Sequence, residues 1–294
     1  MFVCRSSALS PHVSTQLFMP MPRLALLLTT VIWGATFPAT KAALEQISPL
    51  SFLLLRFFLG TLLILLWFAV SRHRLHHDRA LLMASALTTV FLFLGYILQT
   101  VGLQHTTASS SAFLTALYVI FVPLILLRID RRVVFATAIA LIGLWLLVKP
   151  STAMNLGDLM TIGCAAAFAG HIICLERFTR QFDAPSLLVW QMVAMTVLFL
   201  PAPWWEESSA SAFSPTTVLL IGLGVTGVLA TAAFAVQMWA QQQVPAQQVA
   251  LLFASEPAYA AWLSWYFLGE TLDTQGWIGS ALILLAVVIG AFGG

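Results

Sequence analysis

Ten apolar stretches divide almost the whole of this 294-residue chain. They run over Leu24–Ala43, Leu50–Val70, Leu81–Gln99, Ser109–Leu127, Val133–Val148, Leu159–Leu175, Leu187–Trp204, Val218–Met238, Val249–Leu268 and Trp277–Phe292. Each is about 16–21 residues long. That length suits a helix crossing a hydrocarbon core roughly 30 Å thick at about 1.5 Å per residue. The breaks fall at Ser48-Pro49, Lys149-Pro150, Ala184-Pro185, Pro201-Ala202-Pro203 and Gly269-Glu270, where proline, glycine and charge are ordinary punctuation. The expectation is an all-α membrane protein of ten transmembrane helices.

Composition agrees. The chain is 60% hydrophobic and 8% charged, against about 25% charged for soluble domains. Cys4, Cys164 and Cys174 have no metal or redox spacing, and the last two fall within one apolar span as packing residues. Only Met1–Pro22 is not membrane-like. It reads as a disordered tail or an over-called start, with Met19 or Met21 as the beginning, and it lacks the pattern of a secretory signal.

The 13 Lys and Arg residues set an orientation. Arg5, Arg23, Arg72, Arg74, Arg79, Arg128, Arg131, Arg132, Arg177 and Arg180 fall on one side of the expected crossings. The other side has Lys41 and Lys149, and Arg56 lies inside the second span. Short cytoplasmic loops are rich in Lys and Arg, which places both termini in the cytoplasm. Trp204, Trp205 and Trp277 fall at expected interfaces, where indole rings anchor.

The fifth span ends at Lys149-Pro150, dividing residues 23–149 from residues 150–294. Five spans per half give the halves opposite orientations, so a shared fold makes them inverted repeats, an architecture of alternating-access transporters. A constant offset of 138 matches Gln104 with Gln242, Ala108 with Ala246, Ala112 with Ala250, Leu114 with Leu252 and Ala116 with Ala254.

Three stretches carry a resemblance. They are Trp33-Gly-Ala-Thr-Phe37 with Lys41, Ser48-Pro49 and Arg56; Gly102-Leu-Gln-His-Thr-Thr-Ala-Ser with Ala112-Phe-Leu114; and Glu256-Pro257 with Gly269-Glu270 and Gly279. In order and spacing they resemble the EamA family of the drug/metabolite transporter superfamily, from about Arg23 to the C-terminus. The resemblance implies a ten-helix inverted-repeat carrier, often an exporter of amino acids or related metabolites. His105 departs from the family's frequent aromatic residue there.

An ionisable side chain near the bilayer centre costs at least ~2.5 kcal/mol and marks a candidate functional site. Glu256 lies roughly 12 Å into the ninth span at about 1.5 Å per residue, followed by Pro257, which should bend the helix or free a carbonyl. It reads either as a site for a substrate amine or proton, or as a protonated, hydrogen-bonded structural group. At offset 138 its counterpart is Tyr118, roughly 15 Å into the fourth span, so both fall near mid-depth. His171, Gln237 and Trp33 complete the candidate substrate-binding set, with His171 able to donate and accept across helices. Lys41 and Glu45, spaced i, i+4, and Arg56 form a candidate ion-pair network or gate at the outer end of the first two spans.

Two motifs are set aside. Gly222-Leu-Gly-Val-Thr-Gly227 matches a dinucleotide pattern but sits within an apolar span, without a strand or the later acid, so it reads as close helix packing. His73, His76 and His77 with Asp78 lie in a short basic loop and read as solvated. No catalytic residue, metal site or cofactor is expected. The reading is a non-enzyme secondary transporter of small metabolites, an exporter in a bacterial-type inner membrane. Partners are a small-molecule solute and membrane lipid, with energy from either the solute's own gradient or a proton gradient, and no nucleic acid, in a monomer or homodimer. The alternatives are a polytopic membrane enzyme acting on a lipid or isoprenoid, and a receptor or scaffold.

Overall fold

The computed structural model describes residues 20–127, 130–148, 154–206, 216–268 and 273–292. The expected tail up to residue 19, Arg128, Lys149-Pro150 and Gly269-Glu270 lie outside the described residues. Among the described residues the protein is helical, without strands. The helices are α1 (Pro20–Ala43), α2 (Pro49–Ser71), α3 (Arg79–His105), α4 (Ala108–Thr115), α5 (Tyr118–Leu126), α6 (Arg131–Val148) and α7 (Leu156–Phe178). They continue as α8 (Ala184–Phe199), α9 (Ala202–Trp205), α10 (Thr217–Leu223), α11 (Ala230–Gln241), α12 (Ala246–Phe253), α13 (Glu256–Leu268) and α14 (Thr274–Val287). A wide π turn, Gly224–Leu229, joins α10 to α11, and another, Val288–Phe292, ends α14.

Eight stretches are long and apolar enough to cross a membrane: Met21–Ala43, Pro49–Ser71, Arg79–His105, Ala108–Leu126, Leu156–Phe178, Ala184–Trp205, Thr217–Gln241 and Thr274–Phe292. The other two expected crossings correspond to α6, which opens on Arg131 and Arg132, and to α12–α13, whose pieces are 8 and 13 residues long. Large side chains such as Leu66, Phe135, Trp145 and Ile221 are more than half exposed, as lipid-facing positions are and as the surface of a soluble monomer is not.

Local sequence explains the helix starts. Asn155 and Asp158 form a reciprocal capping box at α7, with bonds of 3.0 and 3.1 Å. Asp78, Thr107 and Asp183 each accept from the backbone N–H three residues on. The fourth and ninth expected spans are both broken. α4 stops at Thr115 and α5 restarts at Tyr118; α12 stops at Phe253 and α13 restarts at Glu256. Leu117 N–H bonds the Leu114 carbonyl and Ser255 N–H bonds the Leu252 carbonyl, each at 3.2 Å. The break therefore precedes Pro257 and recurs at the position without a proline, Val119. Pro257 sits second in α13, where no backbone N–H is missed.

Packing between the halves is close. α1 lies along α10–α13, α3 along α7 and α8, and α6 along α14. Gly143 and Gly279 face each other. A Cβ on Gly143 would lie 2.7 Å from the Gly279 carbonyl oxygen, and one on Gly279 2.5 Å from that of Gly143. Gly222 and Gly227 of the set-aside motif likewise abut Ala43 and Arg56, as the small-residue reading expects.

Candidate functional site

Four helices and two interrupted ones line one cavity. Trp33 and Thr36 enter it from one face of α1, and Leu92, Tyr96 and Gln99 from one face of α3, as i, i+3, i+4 and i+7 spacings allow. Phe168, His171 and Ile172 come from α7, and Phe234 and Gln237 from α11. The two helix breaks deliver Thr115 with Tyr118 and Phe253 with Glu256. All five candidate substrate-binding residues thus line one cavity.

The break geometry explains the central contact. Tyr118 and Glu256 are the first residues of their restarted helices, and Tyr118 Oη donates to Glu256 Oε2 at 3.0 Å. The contact joins two residues separated by the 138 positions of the internal match. The same offset pairs Trp33 with His171, Tyr96 with Phe234, Gln99 with Gln237 and Thr115 with Phe253, so ten of the 14 lining residues form five matched pairs.

Around that contact the walls are aromatic. The Trp33 ring meets Phe253 edge-on at 4.7 Å and Phe234 at 5.4 Å. Phe168 and Phe234 flank Tyr96 at 5.3 and 6.4 Å. His171 Nε2 lies 3.0 Å from the Gln191 amide nitrogen, and Gln237 donates to Gln241 at 2.8 Å. Among the described residues, two buried polar atoms on the lining have no protein partner: the Trp33 indole Nε1 and Gln237 Oε1. Buried polar atoms are normally bonded, so both are open to a ligand or water. A carboxyl group, a phenol, an imidazole and amides are thus set inside aromatic walls, groups that can hydrogen-bond a small, partly polar molecule.

Lys41, Glu45 and Arg56 are not joined into one ion-pair network. Lys41 Nζ instead donates to the carbonyls of Leu103 and Thr106, at 2.6 and 2.9 Å. It is drawn there because those carbonyls are left free at the end of α3. Thr106 Oγ1 in turn donates to Asp158 at 2.8 Å. Glu45 is exposed. Arg56 is buried, with its guanidinium 4.4 Å from the Tyr96 ring centre and Nη2 3.3 Å from Tyr96 Oη.

A second polar cluster sits at the α11–α12 turn. Arg180 donates to the Gln242 carbonyl at 3.2 Å and pairs with Glu176 at 3.3 Å. Glu176 accepts from the Ala246 N–H at 3.0 Å, and Arg23 donates to Gln248 at 2.9 Å. The set-aside histidines do not converge. His73 pairs with Asp183 at 3.2 Å, and the His76 backbone bonds Ser186 and Trp190. No group of three metal-binding side chains occurs among the described residues.

Sequence reasoning did not single out Tyr96, Gln99, Thr115 or Phe253. Extending the 138-residue register beyond the fourth and ninth spans finds Gln99 from Gln237, and finds Trp33 and His171 as one pair.

A family model described as the EamA-like transporter family matches residues 21–149 and again 155–291. An uncharacterized transporter of Archaeoglobus fulgidus is 32% identical over 272 residues, covering 90% of this chain and 84% of that one. The uncharacterized transporter YwfM of Bacillus subtilis is 27% identical over 290 residues, covering 90% and 92%. The threonine/homoserine exporter RhtA of Salmonella typhimurium is 26% identical over 157 residues, 52% of this chain and 50% of its own. A crystal structure of a protein 14% identical in sequence superposes with a TM-score of 0.76 over 93% of this chain and 99% of its own. At that identity the likeness concerns the fold.

Proposed function

The chain belongs to the EamA-like transporter family, and from that premise we propose that it is a secondary exporter of amino acids or related small metabolites. The proposal has ten crossings arranged as two inverted five-helix halves, with both termini cytoplasmic, in a bacterial-type inner membrane. The observation that carries it is the cavity's five matched pairs, joined by the Tyr118–Glu256 hydrogen bond. A solute site at the junction of two repeats, made by interrupted helices, is the arrangement expected of alternating access. The partial match to a threonine/homoserine exporter supports the amino-acid class.

The cavity's geometry supports an alternating-access mechanism. Trp33, Tyr118, His171, Gln237 and Glu256 hold the solute, with Glu256 accepting its amine or a coupling proton. The clusters at the two turns act as gates. One is Lys41 with Thr106 and Asp158; the other is Arg180 with Glu176 and Gln242. Breaking one while the other holds exposes the cavity to one side at a time. One charge crossing about 100 mV is worth about 2.3 kcal/mol, enough to concentrate a solute.

The test uses purified protein in liposomes loaded with a mixture of amino acids. Exchange of labelled amino acid above empty liposomes is expected. Absence of exchange for any amino acid, at inside pH values from 5 to 8, would refute the reading.

A further inference from the structure

Arg56 is seven residues into α2, roughly 10 Å from its start at about 1.5 Å per residue. Only 4% of it is exposed. No carboxylate among the described residues pairs with it. Its surroundings are the Tyr96 and Phe57 rings, with centres 4.4 and 5.2 Å from the guanidinium carbon, and the Tyr96 hydroxyl at 3.3 Å. Burying a guanidinium without an opposite charge is costly, and stacking on aromatic faces offsets only part of that. A packing role alone would be met by an uncharged side chain.

Tyr96 connects this charge to the cavity. Arg56 has donors only, so the Tyr96 oxygen accepts from it. The phenolic hydrogen is then left to donate elsewhere, and Tyr96 lines the cavity. A donor backed by a positive charge is suited to an anionic oxygen. The unpartnered Trp33 Nε1 is a second donor, whereas Glu256 and the unpartnered Gln237 Oε1 are acceptors. The cavity thus offers charge-backed donors as well as an acid.

We propose that Arg56 is a positioning residue that turns Tyr96 into the carboxylate-recognising donor of the cavity, so that the solute carries a carboxylate as well as an amine. This rests on the cavity being the transport site.

The experiment measures thermal stabilisation of the purified full chain by the proteinogenic amino acids and, in parallel, by their α-amides, which keep the amine and lose the carboxylate. Wild type is expected to bind at least one amino acid about tenfold or more tighter than its amide, the scale of a charge-assisted hydrogen bond. Tyr96→Phe keeps the ring and Arg56 in place, and should abolish that preference by weakening the acid far more than the amide. Arg56→Gln should do the same, and Arg56→Lys should restore part of the preference. A role for Arg56 in packing alone would weaken acid and amide equally, which overturns the proposal and leaves the transporter reading standing. Wild type binding amides but no free amino acid also overturns it alone. Wild type binding neither overturns both.

Discussion

The two halves meet at the cavity on matching frames with different chemistry. Tyr118 faces Glu256, Trp33 corresponds to His171, Tyr96 to Phe234 and Thr115 to Phe253; of the five pairs only Gln99 and Gln237 are the same residue. Away from the cavity the register keeps residues alike: Ala108 and Ala246, Ala112 and Ala250, and Ala116 and Ala254 are all buried. Close helix packing tolerates little change of volume, so those positions stay small in both halves. Cavity positions touch empty space instead, and each half supplies different side chains to its walls.

The largest effect should come from breaking the central pair. Glu256→Gln keeps the size and the acceptor for Tyr118 but removes the ionisable group. Exchange in liposomes is expected to fall more than 100-fold with folded protein retained. Tyr118→Phe should cost only about tenfold, the scale of one hydrogen bond. The double exchange, Tyr118→Glu with Glu256→Tyr, sharpens the comparison. If the frames are equivalent, it recovers activity above Glu256→Tyr alone. Wild-type exchange by Glu256→Gln at every pH would remove Glu256 from coupling.

Much of this comparison was legible in the sequence, for identifiable reasons. Spans are long runs and survive local ambiguity, so α1, α2, α3, α7 and α8 fall where hydropathy places them. Glu256 stands out because charge in an apolar run is costly, and Tyr118 follows from it by register. What stayed hidden depends on three-dimensional direction. Tyr96 is one aromatic residue among many in an apolar helix, and nothing local shows that it stacks under Arg56. Lys41 and Glu45 have ideal spacing for a pair, yet the free carbonyls at the end of α3 win Lys41. Pro257 invites the blame for a break that Leu117 makes in the other half without a proline.

Helix packing supplies the next test. Gly143 and Gly279 are reciprocal, each opposing the other's carbonyl, and the obstacle is backbone rather than a flexible side chain. Either Gly143→Ala or Gly279→Ala should separate α6 from α14 and cost about 1–3 kcal/mol. Both should lower the detergent melting temperature by similar amounts. Gly224→Ala is the control, with nothing within 4 Å of its added methyl. A large drop there, or in only one of the reciprocal pair, would break the equivalence.

The two polar clusters should differ in sign. Lys41→Met frees the α3 carbonyls at one turn, and Arg180→Met frees the Gln242 carbonyl at the other. If they are opposed gates, the variants shift the balance of open states in opposite directions, by about tenfold for about 1.4 kcal/mol of lost clamping. Alkylation of a cysteine placed at Thr36 reads this out, faster from one side in the first variant and from the other side in the second. Equal shifts in one direction would exclude gating by these clusters.

The smallest effect concerns how the second helix of each half begins. α8 is capped from within: Asp183 accepts from the Ser186 N–H at 2.9 Å. α2 follows Ser48, whose side chain makes no such bond. Glu206, 155 or so positions away, accepts instead from the N–H groups of Leu50 and Ser51, at 2.8 and 2.9 Å. Both carboxylates meet the positive end of a helix, so Asp183→Ala and Glu206→Ala should each cost about 1 kcal/mol at neutral pH. The Asp183 contribution depends on pH. Burial raises the Asp183 carboxyl, but the Ser186 and His73 hydrogen bonds outweigh it and hold the group below the ordinary aspartate range. A carboxyl with a lowered folded-state value stabilises fully above its unfolded value, about 3.9, and loses that contribution as pH falls through the folded value. The melting difference between wild type and Asp183→Ala should therefore be constant from pH 7 to 5 and shrink below about pH 4. A difference that grows toward acid would mean that His73, rather than the helix start, is what Asp183 serves.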